Sequence, residues 1–334
     1  MQNKSFENKF FSPAFLGDAE QKGVWRTPPI KALLRQWWRV AYAARQNFAV
    51  DVATLRRDEA ALFGHADDDG ANRSLVRLRL DRWDEGKLKK WDALSKVKHS
   101  EVPVPVDVGL YLGYGPVTLP KGVKEPQLKK GAAIHAGESA ELRLAYPEKH
   151  APLLDYALWL MNRFGTLGGR SRNGWGSFSL TEKEGTAPLQ GKLPVRDWKD
   201  CLGLDWPHAI GKDEKAPLIW KTPPFRDWKA VMTELAKLKI KLRTEKFPFT
   251  AGNDRLWLAY PVTHHNAWGG SLRLPNSLRF KVRPTDQGLV GLIFHVPCLP
   301  PAEFRPQKAI VQQVWQQVHQ FLDAAGSGVS RSDS

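Results

Sequence analysis

Cysteine is scarce in this chain, with two among 334 residues, Cys201 and Cys298. They are far apart and lie in no Cys-x-x-Cys or Cys/His spacing, so the sequence indicates neither a zinc site nor a disulfide framework. Long apolar runs are also lacking: the first ten residues form no apolar signal core, and stretches such as GLVGLIFHVP (288–297) are too short to span a bilayer. We therefore expect a cytoplasmic protein with no membrane segment, and no motif in it indicates a cofactor.

Acidic residues are the minority charge. There are 35 of them against 50 lysines and arginines, a net charge of +15. An excess of that size attracts polyanions, which makes nucleic acid the leading candidate partner. A hydrophobic content of 42% with 14 tryptophans argues for a folded chain, and its length exceeds what one hydrophobic core normally supports. We expect two domains.

Strand and helix patterns alternate in a β-α-β order in both halves, which predicts an α+β fold. The segment 182–195 is rich in glycine, proline and threonine, so we place the domains at 1–184 and 185–326. Residues 327–334 have no apolar anchor and are predicted to be a disordered tail. Helices are expected at 28–48, 152–164, 225–241 and 306–325. Strands are expected at 6–16, 74–80, 140–146, 177–181, 277–283 and 289–297, and also within 102–117 and 256–263.

The stretch WRTPPIKALLRQWWRV (25–40) predicts an amphipathic helix with Thr27 as its N-cap and Pro28 in the first turn. Its apolar side is formed by Ile30, Leu33, Leu34, Trp37, Val40, Ala41 and Ala44. A second face carries Lys31, Arg35, Trp38 and Tyr42, with Arg39 at its edge. This face holds both charge and aromatic rings.

No acidic residue occurs between Trp25 and Val50. A solvated helix usually mixes charge signs to gain pairs at i, i+4, so the run of like charge suggests a missing anionic partner. Cationic side chains on phosphates and aromatic rings on unpaired bases suit a single-stranded nucleic acid. The alternative is an ordinary solvated face in which Trp38 and Tyr42 pack on a neighbouring loop.

Residues 165–178 read GTLGGRSRNGWGSF, between a predicted helix and a predicted strand. The glycines permit positive φ angles and a concave arrangement of backbone amides, and the arginines add charge. The segment lacks the Gly-Lys-Ser/Thr end of a phosphate-binding P-loop and follows a helix instead of a strand, so a nucleotide cofactor is not indicated. We interpret it as a phosphate-backbone contact; a simple connecting turn is the alternative.

Two predicted strands carry cations at every second position. Arg77 and Arg79 alternate with apolar residues in SLVRLRL, and Arg279, Lys281 and Arg283 do so in SLRFKVRP. Alternation places each basic set on one face of its strand. A solvated sheet face and an RNA contact both explain the pattern.

The residues at 10–40, FFSPAFLGDAEQKGVWRTPPIKALLRQWWRV, resemble the N-terminal signature of the RAMP superfamily of CRISPR proteins. Within it they resemble the family of the first Cmr subunit of type III-B effector complexes. LGGRSRNGWGSFSL (167–180) resembles the RAMP glycine-rich loop and the strand after it. The resemblance departs at Ala32 and Asp18, where the family often has glycine.

This resemblance implies two ferredoxin-like (RRM-related) domains with insertions, and a non-catalytic subunit that binds CRISPR RNA near the 3′ end of the guide. The implied partners are the guide, its complementary target RNA and the other Cmr subunits. The resemblance supplies Lys31, Arg35 and Arg39 from the helix, and Gly168, Gly169, Arg170, Arg172, Gly174 and Gly176 from the loop. With the residue patterns above, the predicted RNA-binding set is Arg26, Lys31, Arg35, Trp38, Arg39, Gly168, Gly169, Arg170, Ser171, Arg172, Asn173, Gly174 and Trp175.

Two other functions stay open at this stage. Backbone RAMP subunits carry a catalytic aspartate after their first strand, and Asp18 lies in roughly that region. The second hypothesis is therefore a metal-dependent endoribonuclease that uses Asp18. ADDDG (66–70) is a further acidic cluster, and dispersed histidines (65, 99, 135, 264 and 265) would suit metal-free cleavage. A scaffold that docks other subunits and barely contacts RNA is the third hypothesis.

Overall fold

The computed structural model describes residues 1–67, 70–262 and 267–332, and the chain divides into two compact units. The first unit comprises Met1–Trp91, Leu128–Ser171 and Trp175–Pro194. The second comprises Asp92–Gln127, Arg172–Gly174 and Val195–Ser334. This division differs from the predicted boundary at residue 184, because residues 92–127 and three residues of the glycine-rich segment join the second unit.

Helices and strands alternate along the chain, as an α+β fold requires. The α-helices are α1 Thr27–Arg45, α2 Val52–Phe63, α3 Val108–Gly113, α4 Ala151–Phe164, α5 Trp228–Lys241 and α6 Lys308–Asp323. The strands up to the boundary are β1 Gln2–Phe10, β2 His65–Asp67, β3 Gly70–Asn72, β4 Arg77–Leu80, β5 Lys96–Val97, β6 Val106–Asp107, β7 Val117–Thr118, β8 Gln127–Leu128, β9 Ser139–Tyr146, β10 Asn173–Gly174 and β11 Phe178–Glu182. The later strands are β12 Val195–Asp197, β13 Ile210–Lys212, β14 Ile219–Lys221, β15 Leu278–Thr285, β16 Gly288–His295 and β17 Ser330–Arg331.

The first unit is built on a four-stranded antiparallel sheet in the order β11-β1-β9-β4. Along the chain its main elements run β1, α1, β4, β9, α4, β11, which is a β-α-β-β-α-β order. Alternate residues of β1 and β9, such as Phe6, Phe10 and Leu142, are buried, and α1 and α4 pack side by side. Strand alternation thus gives the sheet one apolar and one polar face.

The second unit contains a five-stranded sheet in the order β10-β15-β16-β14-β17. Its main elements run β14, α5, β15, β16, α6, β17, so the β-α-β-β-α-β order occurs again. Helix α3 packs against α5, which explains why residues 92–127 belong here. The predicted strands within 102–117 are wrong over 108–113, where Asp107 caps α3 by accepting a hydrogen bond from the Leu110 amide.

The predicted disordered tail is wrong at Ser330–Arg331, which form the last strand of the second sheet. Trp220 and Lys221 of β14 pair with them. Arg331 donates to Asp323 and Asp213 at 2.6 Å each, and its guanidinium lies 4.5 Å from the centre of the Trp220 ring. Charge and cation–π contacts anchor the segment in place of the apolar side chain it lacks. Residues 333–334 lie outside the described residues.

The predicted strand at 256–263 is wrong over 256–257, since Asp254–Trp257 form a 3-10 helix. Further along, Tyr260 forms an isolated antiparallel bridge with Leu274. The other short helical segments are Glu148–His150, Asp200–Gly203, Phe249–Ala251 and Ala302–Phe304, with a π-helical turn at Leu242–Lys246. Among the described residues, no helix is long and apolar enough to cross a membrane.

The two basic strands have different environments. Arg77 and Arg79 on β4 are exposed, as expected for a solvated sheet face. On β15, Lys281 is only 1% exposed, and Arg279 and Arg283 are half-buried. A solvated face is therefore wrong for the second strand.

Two histidines form a buried chain of hydrogen bonds in the second unit. His319 Nε2 lies 3.0 Å from His295 Nδ1, and His295 Nε2 lies 3.0 Å from Ser277 Oγ. The His295 ring stacks on Trp315 with 4.1 Å between ring centres. Burial lowers the pKa of His295 well below its ordinary value, and lowers that of His319 to about 3, so both rings are neutral at pH 7.

We expect the stability of the protein to fall as the pH is lowered from 7.5 to 5.5. The unfolded chain takes up protons on both histidines near pH 6.5, whereas the folded chain does not. The contribution of the two neutral histidines to the free energy of unfolding is therefore present above that pH and is lost below it. For two such histidines, the free energy of unfolding should fall by about 2–3 kcal/mol between pH 7.5 and pH 5.5. Denaturant unfolding at the two pH values measures the loss.

The variant His319→Gln should show a smaller loss, whereas His135→Gln, which alters an exposed histidine, should behave like the native chain. Equal pH dependence in all three proteins would contradict neutral burial of the pair.

Candidate nucleic-acid interface

Helix α1 begins one residue earlier than predicted, and Arg26, not Thr27, is its N-cap. No side chain caps the helix, but prolines occupy its first turn, where a missing N–H costs nothing. Arg26 Nη1 donates to the carbonyl of Gly17 at 2.7 Å. The cap position therefore holds a guanidinium against the loop that follows β1.

The basic face of α1 has an anionic partner within the chain. The Glu59 carboxylate on α2 accepts hydrogen bonds from Arg35 Nε and from Arg39 Nε, the latter at 2.9 Å. Glu59 is 2% exposed, whereas the two arginine side chains are about 40% exposed. Tyr42 donates to Asp58 at 2.9 Å on the same pair of helices. The expectation that this run of charge lacks a partner is therefore wrong.

Helix α2 is absent from the sequence predictions, although a local signal marks its start. The Asp51 carboxylate accepts a hydrogen bond from the Thr54 amide at 3.0 Å, the geometry of an N-cap. Leu55, Leu62 and Phe63 then recur at helical spacing and are buried. The capping residue followed by this spacing could have identified α2 and, with it, the partner of Arg35 and Arg39.

No carboxylate of the described residues forms an ion pair with Lys31. Burial, and then the nearby charge of Arg35, lower the pKa of the Lys31 ammonium below its ordinary value. The side chain remains half-exposed near the start of α1. Of the three basic residues on this face, Lys31 is the one whose charge is not offset by Glu59.

Both tryptophans predicted to stack on bases belong to the core of the first unit. Trp38 is 2% exposed and packs on Phe63 and Tyr42, with ring centres 5.8 and 5.1 Å apart. Trp175 is fully buried and packs on Phe15 at 5.4 Å. Their predicted role in base stacking is wrong, because neither ring has a free face.

The exposed tryptophan of the first unit is Trp83, at 58%. It lies just beyond β4, next to Arg82 and Asp84. No pattern in the sequence distinguishes it from the buried tryptophans.

The first part of the glycine-rich segment packs on the segment Phe15–Gly17, which also receives Arg26. The Gly169 amide donates to the Phe15 carbonyl at 3.0 Å. Gly168 has φ = +91°, and a Cβ there would lie 2.6 Å from the same carbonyl oxygen, so glycine is required on two counts. The next residue, Arg170, is exposed and also has a left-handed backbone (φ = +56°).

Phe15–Gly17 thus brings Arg26 together with Gly168–Arg170. Gly17, Gly168 and Arg170 are exposed, and Ser171 is half-buried. The result is an exposed loop surface with two guanidinium groups attached. We call the set Gly17, Arg26 and Gly168–Arg170 the glycine-loop surface.

The next part of the segment, Arg172–Gly174, belongs to the second unit. Asn173 donates from Nδ2 to the Leu112 carbonyl at 2.7 Å and accepts from Lys239 Nζ at 2.7 Å. Gly174 is buried with φ = +91°, close to Met232. These contacts give Asn173 and Gly174 a structural role.

Asp18 organises the loop after β1. Its Oδ1 accepts hydrogen bonds from the amides of Glu20 and Lys22, at 2.9 Å each. This is the arrangement of an aspartate that closes a turn. Within residues 1–67, 70–262 and 267–332, no group of three or more His, Cys, Asp or Glu side chains is placed to hold a metal ion.

The other residues considered for catalysis are dispersed. Residues 68–69 of the ADDDG run and the pair His264 and His265 lie outside the described residues. His65 and His135 are exposed, and His99 packs edge-on against Tyr111 with ring centres 5.8 Å apart. The described histidines in this set form no general acid–base pair.

The family model of the RAMP superfamily matches residues 9–179, just over half of the chain. The chain belongs to the RAMP superfamily. The match spans α1, the glycine-loop surface and the start of β11, so the superfamily assignment expected from the sequence is confirmed. Comparison with curated protein sequences gives no match.

Among solved structures, this RAMP protein is similar to Cmr1 from Pyrococcus furiosus in its apo form, at 16% identity over 97% of this chain and 98% of that one (TM-score 0.48). It is similar to a chain of the type III-B Cmr-beta complex bound to cognate target RNA, at 11% identity over 95% and 99% (TM-score 0.46). A chain of a type IV-B CRISPR complex matches at 16% identity over 58% and 94% (TM-score 0.32).

Replacing Trp38 with alanine should destabilise the RAMP protein, because it removes a buried indole from the α1–α2 contact. We expect a loss of about 3–5 kcal/mol in the free energy of unfolding, measured by denaturant titration. Trp83→Ala, at an exposed tryptophan of the same unit, should change stability by no more than about 0.5 kcal/mol. A Trp38→Ala protein as stable as the native chain but unable to bind RNA would restore the stacking role.

Glu59→Gln should also destabilise the protein, because it leaves two guanidinium groups without their carboxylate. We expect a loss of about 1–3 kcal/mol, below the value for a fully buried pair because the arginines are partly solvated. Glu20→Gln removes an exposed partner of Lys22 and should have almost no effect. Equal melting temperatures for the Glu59 and Glu20 variants would show that the pairing on α1 adds no stability.

Proposed function

We propose that this RAMP protein is a non-catalytic subunit of a type III-B CRISPR effector complex that binds the guide RNA near its 3′ end. Its partners would be the guide, the complementary target RNA and the other Cmr subunits, in the cytoplasm. Superfamily membership supports the CRISPR assignment, and the signature at 10–40 supports the type III-B subunit.

The observation that carries this proposal is the meeting of Arg26 and Gly168–Arg170 at the segment Phe15–Gly17. Two guanidinium groups from distant parts of the sequence lie on one exposed loop surface whose backbone is held open by glycines. Such a surface suits phosphates of a single strand, because glycine lets the RNA backbone approach closely while arginine binds its charge. Lys31, near the start of the same helix, adds a further cation.

The proposal narrows the set of RNA-binding residues. Arg35 and Arg39 are already hydrogen-bonded to Glu59, so a phosphate would have to compete with a buried carboxylate for them. We place the main contact at Arg26, Lys31 and Gly168–Arg170, with Ser171 beside it. Contacts to phosphates impose little sequence preference, which fits a subunit that must accept many guides.

We also propose that each unit is a variant of the ferredoxin-like fold. Both contain the β-α-β-β-α-β order, and in both the first strand lies between the last strand and the third. Helix α2 and residues 92–127 would be insertions into the first domain, the latter associated with the second unit.

Charge reversal at the glycine-loop surface should weaken RNA binding and its dependence on salt. We expect Arg26→Glu combined with Arg170→Glu to bind a single-stranded RNA at least about tenfold more weakly. The slope of log K against log salt should fall by about 0.7 for each phosphate that the variant no longer neutralises. Fluorescence anisotropy with a labelled guide at several salt concentrations gives both quantities.

The control is Arg56→Glu, which reverses an exposed charge on α2 of the same unit. If the control weakens binding as much as the double variant, the attraction is a general effect of net charge and the site assignment fails. Incubating the native protein with labelled guide and target RNA, with and without magnesium, tests the non-catalytic role. A cleavage product that disappears in Asp18→Asn would establish the endoribonuclease instead.

A further inference from the structure

Two arginines of the second unit lie side by side, and no carboxylate of the described residues forms an ion pair with either. Strands β10 and β15 are parallel, with Asn173 opposite Phe280 and Gly174 opposite Lys281. The Phe280 amide donates to the Arg172 carbonyl at 3.0 Å, so the register extends one residue further and sets Arg172 opposite Arg279. Neighbouring strands are about 5 Å apart, and paired residues project to the same side of the sheet. Like charges in this position destabilise a sheet.

Both side chains are half-buried, which increases the cost of their repulsion. The Nε of Arg279 has no exposed surface and no hydrogen-bond partner among the described residues. Burial lowers the pKa of both guanidinium groups, to about 10 for Arg279, where Arg172 is the next cause. Both nevertheless stay charged at pH 7.

The described part of the chain offers this pair no anion. No carboxylate there forms an ion pair with Arg172 or Arg279. The Cys298 thiol lies close enough to both arginines that its thiolate form would favour their charge. Burial raises the pKa of this thiol to about 11, however, so it is neutral at pH 7 and supplies no anion. The contrast with α1 is direct, since Arg35 and Arg39 share a buried carboxylate.

We propose that Arg172 and Arg279 form a phosphate-binding site that takes one phosphodiester group of the bound RNA strand. Two adjacent guanidinium groups offer several N–H donors to a single phosphate, and a phosphate removes their mutual repulsion. Both residues of the proposed site belong to the second unit, whereas the glycine-loop surface belongs to the first. The proposal rests on the proposed RNA-binding function.

The test exploits two effects that should have opposite signs. Arg279→Met keeps the length of the side chain and removes its charge. In the free protein the change should leave the melting temperature unchanged or raise it by about 2–4 °C, because it removes repulsion. RNA binding should become about tenfold weaker, and the salt slope should fall by about 0.7. Arg172→Met should behave in the same way, and Arg279→Lys should retain part of the binding.

Arg226→Met removes an exposed charge from the same unit and is the matched control. A second arm compares melting in sodium phosphate and in sodium chloride of equal ionic strength. Phosphate should stabilise the native protein more than it stabilises Arg279→Met, since its general salt effect is common to both. If phosphate stabilises the proteins in this way but Arg279→Met binds RNA as tightly as the native protein, the ligand of the site is free phosphate and the RNA assignment is overturned.

Other outcomes also decide. If Arg279→Met lowers the melting temperature and binds RNA as the control does, the pair is structural and the inference is wrong. If the double variant Arg26→Glu with Arg170→Glu binds RNA more weakly than the native protein, but Arg279→Met binds RNA as the native protein does, only the site at Arg172 and Arg279 is wrong. If the native protein binds no RNA, the proposed function fails as well.

Discussion

The buried carboxylate of Glu59 determines how the first unit can use its positive charge. It is nearly inaccessible to solvent and holds Arg35 and Arg39 against α2. An ionised carboxylate in that position requires cationic partners, because desolvation without them would cost several kcal/mol. Two of the basic residues in the N-terminal signature are thereby committed to the fold. Among the described residues, no carboxylate forms an ion pair with Arg26 or Lys31 at the start of the helix, so these two are not committed to the fold in this way.

In the second unit, too, arginines that are paired with carboxylates differ from arginines that could bind a ligand. Arg331 is held by Asp213 and Asp323, and Arg255 donates to Glu101 at 2.9 Å. The first arginine holds the C-terminal strand, and the second joins the 3-10 helix Asp254–Trp257 to Glu101. Arg172 and Arg279 differ, because the register of β10 and β15 brings them together and no carboxylate of the described chain joins them. A basic sequence pattern alone does not distinguish the two situations.

Much of the fold follows from local patterns in the sequence. The apolar stripe of α1 is buried from Ile30 to Ala41, and helices α4, α5 and α6 and strands β9, β11, β15 and β16 lie within a few residues of the predicted positions. Periodicity specifies these elements because each has one face on a core. The end of α1 was less predictable: Asn47 and Phe48 adopt positive φ, and the helix stops at Arg45.

The errors concern contacts between residues distant in sequence. Trp38 looked available for stacking because α2, which covers it, had not been identified. Ser330–Arg331 looked disordered because their anchors, Trp220 and Asp213, lie more than 100 residues away. No local pattern predicts the meeting of Arg26 with Gly168–Arg170 at Phe15–Gly17, because it joins segments that are distant in sequence. Composition shows that cations are in excess, whereas tertiary contacts decide which of them are neutralised.

The arginine pair and the buried histidines of the second unit are coupled through Arg279. Burial, then His319 and then Arg279 lower the pKa of His295. An anion bound at Arg172 and Arg279 would offset the positive charge of Arg279 and so raise that pKa toward its ordinary value. Because burial is the largest cause, His295 would stay neutral at pH 7 with the proposed site filled. The charge of Arg279 thus acts on both the proposed phosphate site and His295, whereas burial is what keeps the histidine neutral.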